Sequence, residues 1–390
     1  MTDTRVADLR THLSDELRAD GSIVTDAWHD AFALVPRHTF LPAFFRQTTD
    51  FAGWELVSHD DPEWLSLVYQ DRTWVTQLDG DDTKADIADV DGRATGGPTS
   101  SSTAPSLMAT MLEMLNLTGD ERVLEIGTGT GYGAALLAER LGGEMVTTID
   151  VDSRLTARAE EALTRAGYAP TVVTGDGTAG YPANAPYDRV IATVAVAEVP
   201  RTWIEQTRPG GLILTNLFRD IGGGVLVLLK VSEHGTASGR LVADYGSFMP
   251  VRTQQGTGGL LRLRTALDQQ GDVRGTTTAL GSGDQEPYAF LVALFLPGVE
   301  RFGFHPSGGE PQDWLFAPDG SWACHSTESH TVEEYGSRRL WQEVEDVQQL
   351  WHMLDRPTRD RFGLTVHHDG THTLWLDEPG GGKTWPVPEH

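Results

Sequence analysis

The stretch that most constrains this chain is VLEIGTGTGYGAALLAERLG, residues 123–142. A short apolar run leads into closely spaced glycines, and a run with helical spacing follows. A second strand-like run, residues 146–149, ends at the carboxylate of Asp150. Glycines let the main chain approach a ligand closely, and a helix that begins there presents free N–H groups. The pattern therefore predicts a strand, a glycine turn and a helix that together bind a nucleotide cofactor.

Two cofactors compete for this turn. Gly129, Gly131 and Ala134 satisfy the loose dinucleotide pattern G-x-G-x-x-G/A, so the turn alone is compatible with NAD. The turn begins earlier, however, at Gly127, shortly after Glu125. The resulting E-x-G-x-G-x-G resembles the first motif of methyltransferases that depend on S-adenosylmethionine (SAM).

Further signals follow in the order that this resemblance implies. Asp150 lies where a carboxylate can accept both ribose hydroxyls. Asp176, in Gly-Asp-Gly after a strand-like run, fits a loop beside the adenine, although such an aspartate is also a common turn residue. A Pro-Gly-Gly corner at residues 209–211 opens another apolar run. The cofactor is therefore predicted to be SAM. Its predicted binding residues are Glu125, Gly127, Thr128, Gly129, Gly131, Asp150, Asp176 and Gly177.

Composition excludes several classes of protein. A net charge of −26 argues against a nucleic-acid partner, because a phosphate backbone needs a basic face. The single cysteine, Cys324, excludes a disulfide framework and a multi-cysteine zinc site. The amino-terminal residues lack the apolar core of a signal peptide, and no run has transmembrane length, so we expect a cytoplasmic protein without a membrane partner. His367, His368 and His372 flank an Asp-Gly turn and predict a solvated hairpin tip in preference to a metal site.

The amino-terminal hundred residues carry a more specific resemblance. Apolar residues at helical spacing predict one helix ending before Gly21 and a second over residues 26–34. VPRHTFLP at residues 35–42, YQD at 69–71 and TSSSTAPSLM at 99–108 follow. These motifs resemble those of the protein-L-isoaspartate O-methyltransferase family, and the likeness extends over residues 1–232. The resemblance implies an α/β fold: a Rossmann-like SAM-dependent methyltransferase core (residues 120–232) with an N-terminal helical cap.

The family methylates a carboxylate, which is already ionised at neutral pH and needs no strong base. The resemblance implies that a hydroxyl group positions this acceptor, and in the family it belongs to the serine of T-I-S-x-P. Aligned on Pro105, the equivalent residue is Thr103, preceded by Ser102 and Ser101, and these three are the predicted catalytic residues. Threonine keeps the hydroxyl but adds a methyl group, so we expect a reshaped acceptor pocket. The same hydroxyl-rich turn could instead only cap the next helix.

Three features favour a specialised acceptor. They are the departure at Thr103, the acidic stretch over residues 79–91, and about 150 residues after the core. Residues 233–390 are predicted to form a C-terminal α+β accessory domain that recognises peptide. Such an extension resembles those of homologues that methylate an aspartate in macrocyclised ribosomal peptides (lanthipeptides or graspetides), where the ester collapses to an aspartimide. The alternatives are an isoaspartyl repair enzyme with an accessory domain and an inactive SAM-binding scaffold.

The accessory domain has its own element predictions. Residues 242–248 and 289–296 are predicted strands, separated by a loop-rich stretch over residues 254–283. Residues 314–323 predict a hairpin with an Asp-Gly turn, and residues 362–376 predict a second hairpin. Apolar residues at helical spacing predict a helix over residues 340–354.

Overall fold

The computed structural model describes residues 3–244, 246–252, 259–268, 271–280 and 286–389. The chain divides into two compact units. The first unit comprises Met1–Thr193 and Thr202–Leu214, and the second comprises Val194–Arg201 and Thr215–His390. No helix among the described residues is long and apolar enough to cross a bilayer.

The amino-terminal part of the first unit combines helices with a small antiparallel sheet. The two helices predicted from apolar spacing are present, and the second covers residues 26–34 as predicted. The predicted helical cap also contains four strands in the order β2-β1-β3-β4, which short alternating runs did not reveal. The elements are α1 (Asp3–Ala19), α2 (Asp26–Leu34), α3 (Arg37–Phe40), β1 (Ala43–Gln47), β2 (Trp54–Ser58), α4 (Trp64–Val68), β3 (Trp74–Leu78), α5 (Thr83–Asp91), β4 (Pro98–Ser102) and α6 (Pro105–Met114).

The rest of the first unit is a parallel α/β core. Its elements are β5 (Val123–Ile126), α7 (Tyr132–Leu141), β6 (Val146–Asp150), α8 (Ser153–Ala166), β7 (Thr171–Thr174), β8 (Tyr187–Val196), α9 (Arg201–Glu205) and β9 (Thr207–Arg219). The strand order is β7-β6-β5-β8-β9, and β5 pairs in parallel with β6 on one side and β8 on the other. After β5 the chain adds β6 and β7 on one side, and it then adds β8 and β9 on the other side of β5. The position between β5 and β8 is therefore a topological switch point, and such a point opens a crevice at the carboxyl ends of the strands.

The core is built from a buried strand and a buried helix. All four residues of β5 are buried, and so is every residue of α7 from Tyr132 to Ala138. Because both faces of β5 are buried, its residues are apolar, with Glu125 as the exception. The Rossmann-like arrangement predicted from the glycine turn is therefore present.

The second unit contains two sheets. Strands β8 and β9 run from the first unit into the second, and the chain continues with β10 (Gly222–Val231), β11 (Ala237–Leu241), α10 (Gly259–Asp268), β12 (Arg274–Thr277), α11 (Ala289–Phe295), β13 (Glu300–Phe304), β14 (Gln312–Phe316), β15 (Trp322–Ser326), β16 (Thr331–Tyr335), α12 (Leu340–Met353), β17 (Phe362–Val366), β18 (His372–Leu376) and β19 (Thr384–Val387). One sheet has the order β9-β10-β11-β17-β18-β19, and the other has the order β12-β16-β15-β14-β13.

The unit boundary differs from the predicted division after residue 232. Strand β10 pairs along half its length with β11, from Val227↔Leu241 to Val231↔Ala237, so the sequence on both sides of residue 232 belongs to one sheet. Residues 194–201 also pack with the later chain. Apolar runs reveal strands but not which strands pair, and for that reason the sequence alone does not indicate this division into units.

Several element predictions for the second unit are confirmed. Both hairpins are present, as β14–β15 and β17–β18, and the helix over residues 340–354 is α12. Three other predictions are wrong. Strand β11 ends at Leu241, so the described part of 242–248 contains no strand, and residues 289–295 form α11, because a short apolar run does not distinguish a buried helix from a buried strand. The stretch 254–283 contains α10 and β12 where it is described; residues 254–258, 269–270 and 281–283 lie outside the described residues.

Candidate active site

The glycine turn lies at the carboxyl end of β5 and begins α7. Gly129 and Gly131 have φ values of 51° and 86°, in the left-handed region that L-residues with a side chain avoid. Gly131 also packs against α8, where an added Cβ would lie 3.1 Å from Ala159 Cβ. Between these glycines and the strand, Thr128 points inwards, with its hydroxyl 2.8 Å from that of Thr148 on β6. The loop is thus held from both sides with its backbone close to the crevice.

Asp150 lies beside this turn, as its position at the end of β6 predicts. Its Oδ2 accepts a hydrogen bond of 3.0 Å from Gly129 N–H, and its Oδ1 accepts one of 3.1 Å from Asp152 N–H. A carboxylate has about four lone-pair sites, so acceptor capacity remains for ligand hydroxyls. The structure therefore brings two of the predicted cofactor-binding residues into direct contact.

Glu125 is buried directly behind the glycine turn. Its Oε2 accepts a 2.7 Å hydrogen bond from Thr148 Oγ1. A Cβ at Gly133 would collide with its Oε1, so α7 approaches this carboxyl group closely. Burial raises the pKa of Glu125 to about 8; the bond from Thr148 opposes this shift and the charge of Asp150 adds to it. Glu125 therefore holds a proton readily at the base of the predicted cofactor site.

Asp176 and Gly177 follow β7 at the same edge of the sheet. Asp176 is exposed, and its Oδ1 accepts hydrogen bonds from the N–H and the hydroxyl of Thr178 at 2.9 and 2.8 Å. These bonds are those of an aspartate that stabilises its own turn, which is the alternative to adenine binding. An added Cβ at Gly177 would lie 2.5 Å from Ile126 Cγ2, so the loop packs against the end of β5. The two residues border the crevice, and their contact with a cofactor stays a prediction.

The three predicted catalytic hydroxyls have different surroundings. Ser102 is buried, and its Oγ accepts a hydrogen bond of 3.3 Å from Arg37. Ser101 approaches the glycine turn through its backbone, since a Cβ at Gly129 would lie 3.6 Å from its carbonyl oxygen. Ser101 and Thr103 are both half-buried, and neither side-chain hydroxyl forms a hydrogen bond to the described residues. The choice of Thr103 as the hydroxyl that meets the acceptor therefore stays a prediction from the alignment on Pro105.

The strand that carries these hydroxyls is tied to the cofactor loops by a residue that the sequence did not single out. Gln77 on β3 accepts from Thr99 Oγ1 at 2.9 Å and donates to Asp152 Oδ2 at 3.0 Å. Asp152 also caps α8, accepting from Arg154 N–H at 2.9 Å. The only signal in the sequence for this contact is a glutamine within a short strand-like run, residues 74–78. Arg37 lies in the motif VPRHTFLP, which carries the family resemblance but does not by itself indicate a role for this residue.

The acidic stretch over residues 79–91 forms the first part of the β3–β4 connection, which includes helix α5. Some of its aspartates have local partners: Asp79 lies 3.2 Å from Lys84 Nζ, and Asp82 lies 2.6 Å from Arg158. Three others, Asp86, Asp89 and Asp91, are exposed on α5. The stretch is thus partly a set of structural ion pairs and partly a solvated acidic face.

The histidine-rich hairpin of the second unit corrects one prediction. Asp369 and Gly370 form the tip, but His372 is only 8% exposed. Its Nε2 accepts a 3.1 Å hydrogen bond from Val199 N–H, and its Nδ1 lies 2.9 Å from Gly370 O. Burial lowers the pKa of His372, which is therefore a neutral structural residue. A cavity of about 830 Å³ lies beside it, lined in part by Glu198, Arg219 and the hairpin itself.

The first unit therefore has the features of a Rossmann-like protein that binds a nucleotide cofactor. It combines a parallel sheet with a switch point, a glycine turn and carboxylates at successive strand ends, with a hydroxyl-bearing strand beside the turn. This is the class that the sequence predicts.

Comparison with known proteins gives the family. The family described as protein-L-isoaspartate(D-aspartate) O-methyltransferase (PCMT) matches residues 89–235. The protein-L-isoaspartate O-methyltransferase of Staphylothermus marinus is 32% identical over 239 residues, which are 59% of this chain and 89% of that relative. That of Ignicoccus hospitalis is 41% identical over 133 residues, 33% of this chain and 63% of the relative. The chain belongs to the protein-L-isoaspartate O-methyltransferase family.

A solved structure of a protein-L-isoaspartate O-methyltransferase has the same fold, with a TM-score of 0.55 and 23% identity over 95% of this chain and 100% of that one. The predicted fold class is thereby confirmed. The family is one of SAM-dependent carboxyl methyltransferases, which is the enzyme class and the cofactor that the sequence predicts. The chain spans 63% and 51% of the lengths of the Ignicoccus hospitalis and Thermococcus sibiricus relatives.

Proposed function

We propose that this chain is a SAM-dependent O-methyltransferase that esterifies the free carboxylate of isoaspartyl residues in peptides or proteins. The observation that carries the proposal is the position of Thr103 directly after β4, the strand that contacts the glycine turn, with a side-chain hydroxyl that has no partner among the described residues. Family membership supports the acceptor class. Of the isoaspartyl acceptor and the tailoring of a ribosomal peptide, the relatives favour the isoaspartyl acceptor.

The donor set fits SAM. The carboxylates of Asp150 and Asp176 suit ribose hydroxyls and an amine, and the glycine turn lets the backbone come close. Bound SAM would supply an electrophilic methyl group on a sulfonium. The glycine turn, Asp150 and Asp176 would bind and orient the cofactor, and Glu125 would support the loop from behind.

The acceptor side needs orientation more than base catalysis. An isoaspartyl carboxylate is ionised at neutral pH, so its oxygen can attack the methyl carbon without losing a proton. SAM held by the glycine turn, Asp150 and Asp176 would supply the methyl group and would leave as S-adenosylhomocysteine. The Thr103 hydroxyl would donate to one carboxylate oxygen and hold the other in line with the methyl group. The backbone nitrogen of the residue that follows the isoaspartyl residue can then attack the carbonyl carbon of the methyl ester and expel methanol, which closes a succinimide.

The test uses mass spectrometry of synthetic peptides incubated with SAM. Peptides of unrelated sequence that contain isoaspartate should gain one methyl group and then lose methanol, and matched aspartyl peptides should remain unmodified. Methylation of neither peptide by a protein that binds SAM would contradict the proposal and favour an inactive scaffold.

A second candidate is the tailoring of a ribosomal precursor peptide at a specific aspartate. Two observations favour it: threonine replaces the family serine at position 103, and α5 presents an acidic face within the β3–β4 connection. The C-terminal extension does not distinguish the two candidates, because a solved structure named protein-L-isoaspartate O-methyltransferase has the same fold over 95% of this chain. Turnover of a macrocyclised aspartyl peptide without turnover of generic isoaspartyl peptides would select this candidate.

A further inference from the structure

Arg37 is a fully buried cation at the acceptor turn. It begins α3, its side chain has no exposed surface, and its guanidinium bonds to two separate segments of chain. Nη1 and Nη2 together donate to four carbonyl oxygens and one hydroxyl. These acceptors are Val68 O at 2.8 Å, Gln70 O at 2.9 Å, Arg72 O at 3.0 Å, Thr103 O at 3.2 Å and Ser102 Oγ at 3.3 Å.

The charge of Arg37 has no carboxylate partner. Within the part of the chain that the structure describes, the Arg37 guanidinium forms no salt bridge with an Asp or Glu oxygen within 4.0 Å, and its Nε is buried without a hydrogen-bond partner. Burial lowers the pKa of Arg37 to about 10, which leaves it charged at neutral pH; Tyr132 and Asp71 oppose the shift. A buried cation that is compensated by carbonyl dipoles, one hydroxyl and the more distant charge of Asp71, without a salt bridge, is costly, and such groups commonly serve a function.

The position of Arg37 relates this charge to both halves of the site. Its guanidinium carbon lies 5.8 Å from the centre of the Tyr132 ring. Tyr132 is the first residue of α7 and follows Gly131 of the glycine turn directly. On its other side, Arg37 bonds to Ser102 and Thr103. The cation therefore lies between the strand that presents the acceptor hydroxyl and the helix that begins at the cofactor turn.

We propose that Arg37 is the positioning residue for the acceptor carboxylate. It fixes the Ser102–Thr103 turn and supplies a positive charge whose missing counter-charge is the carboxylate of the substrate. The inference rests on the proposed function. It adds that the charge of Arg37 makes the enzyme select a carboxylate over the isosteric amide. Because the cation acts from beneath the turn, it contributes through Thr103 and through its field and does not touch the reacting atoms.

The hydrogen bonds of Arg37 allow the effect of its charge to be separated from the effect of its guanidinium geometry. The planar fork of an arginine can reach all five acceptors, whereas a lysine has three donors on a single nitrogen. Lysine therefore keeps the charge and loses the geometry, and methionine loses both. The discrimination between carboxylate and amide should follow the charge, and the rate of transfer should follow the geometry.

The experiment measures binding of an isoaspartyl peptide and its isoasparaginyl twin to the full chain in the presence of S-adenosylhomocysteine. The wild type should favour the carboxylate peptide, and Arg37→Met should lower that preference by roughly 10- to 100-fold. Arg37→Lys should keep the preference but lower kcat. Arg93→Met, which removes an exposed arginine of the same unit, is the matched control and should leave the preference unchanged.

Affinity for S-adenosylhomocysteine reports whether each variant has folded. If Arg37→Met fails to bind it, Arg37→Gln replaces that variant as the neutral test. A folded neutral variant that keeps the full preference overturns the inference, and so does an Arg37→Lys variant that loses it. Wild-type protein that neither binds nor methylates isoaspartyl peptides overturns the proposed function itself, and the inference with it, before any variant is compared.

Discussion

At the scale of single residues, the candidate hydroxyls for the acceptor are those that have no protein partner. Ser102 Oγ is engaged by Arg37, whereas the side-chain hydroxyls of Ser101 and Thr103 form no hydrogen bond to the described residues, and the alignment on Pro105 favours Thr103 of the two. We expect Thr103→Val to lower kcat by roughly 10- to 100-fold, the cost of one hydrogen bond to a charged group. Affinity for SAM should change little, because the hydroxyl lies on the acceptor side. Steady-state kinetics and calorimetric titration with SAM check both expectations.

Thr103→Ser is the matched control for this prediction. It keeps the hydroxyl, removes only the methyl group and restores the residue that the family motif has at this position. We expect its kcat to equal or exceed that of the wild type. Equal activity in Thr103→Val would instead remove Thr103 from the mechanism and leave Ser101 as the candidate.

Glu125 predicts a pH dependence of stability. Its pKa is about 8 in the folded protein against 4.5 as the ordinary value, so the folded state binds the extra proton between these limits. The stabilisation associated with this proton is present below pH 4.5 and is lost as the pH rises towards 8. Glu125→Gln imitates the protonated form and should lose this dependence. Urea unfolding of both proteins across this pH window checks the prediction, and parallel pH profiles would contradict it.

At the scale of elements, the hairpin β17–β18 stabilises the segment that follows β8. His372 accepts from Val199 N–H, and Arg219 donates to Ala197 O at 3.4 Å and to Pro388 O at 2.8 Å. His372→Leu would leave a buried N–H group unpaired, at a cost of about 1–3 kcal/mol in the free energy of unfolding. His372→Gln retains an acceptor on a side chain of similar reach and should cost less. Chemical denaturation of the three proteins at neutral pH checks this order.

The same histidine gives the hairpin an acid sensitivity. Burial lowers the pKa of His372 below its ordinary value of 6.5; the charge of Glu198 opposes this shift, and Arg219 and His367 add to it. The unfolded chain therefore binds more protons, and stability should fall as the pH drops through 6.5. In His372→Leu this part of the dependence should vanish. An identical acid slope in the variant would show that other groups are responsible.

At the scale of the whole molecule, the division into units predicts how the chain can be shortened. A chain that ends after residue 232 retains β10 but loses β11, whose pairing covers residues 227–231. It also loses His372, the partner of Val199. An exposed strand edge of apolar residues favours aggregation. We therefore expect residues 1–232 to elute as aggregates in size-exclusion chromatography, with the full chain as the control. A monomeric fragment that binds SAM like the full chain would contradict this expectation.

How far the sequence predicts this molecule depends on the distance over which each signal acts. Helix α2 and the hairpin β14–β15 follow from local spacing and turn residues, and both are confirmed. Helix α11 was mistaken for a strand, because a seven-residue apolar run fits either structure when both are buried. The four-stranded sheet that includes β3 and β4 was missed, although it carries the acceptor hydroxyls.

The sequence by itself determined the cofactor half of this site. Gly127 to Gly131 and Asp150 act within one strand–turn–helix–strand unit, where neighbouring residues set the geometry. The acceptor half was decided by tertiary structure. Arg37 reaches Thr103 across 66 residues, Gln77 reaches Asp152 across 75, and His372 reaches Val199 across 173. Such pairs are brought together by the packing of whole elements, so no local propensity or spacing encodes them.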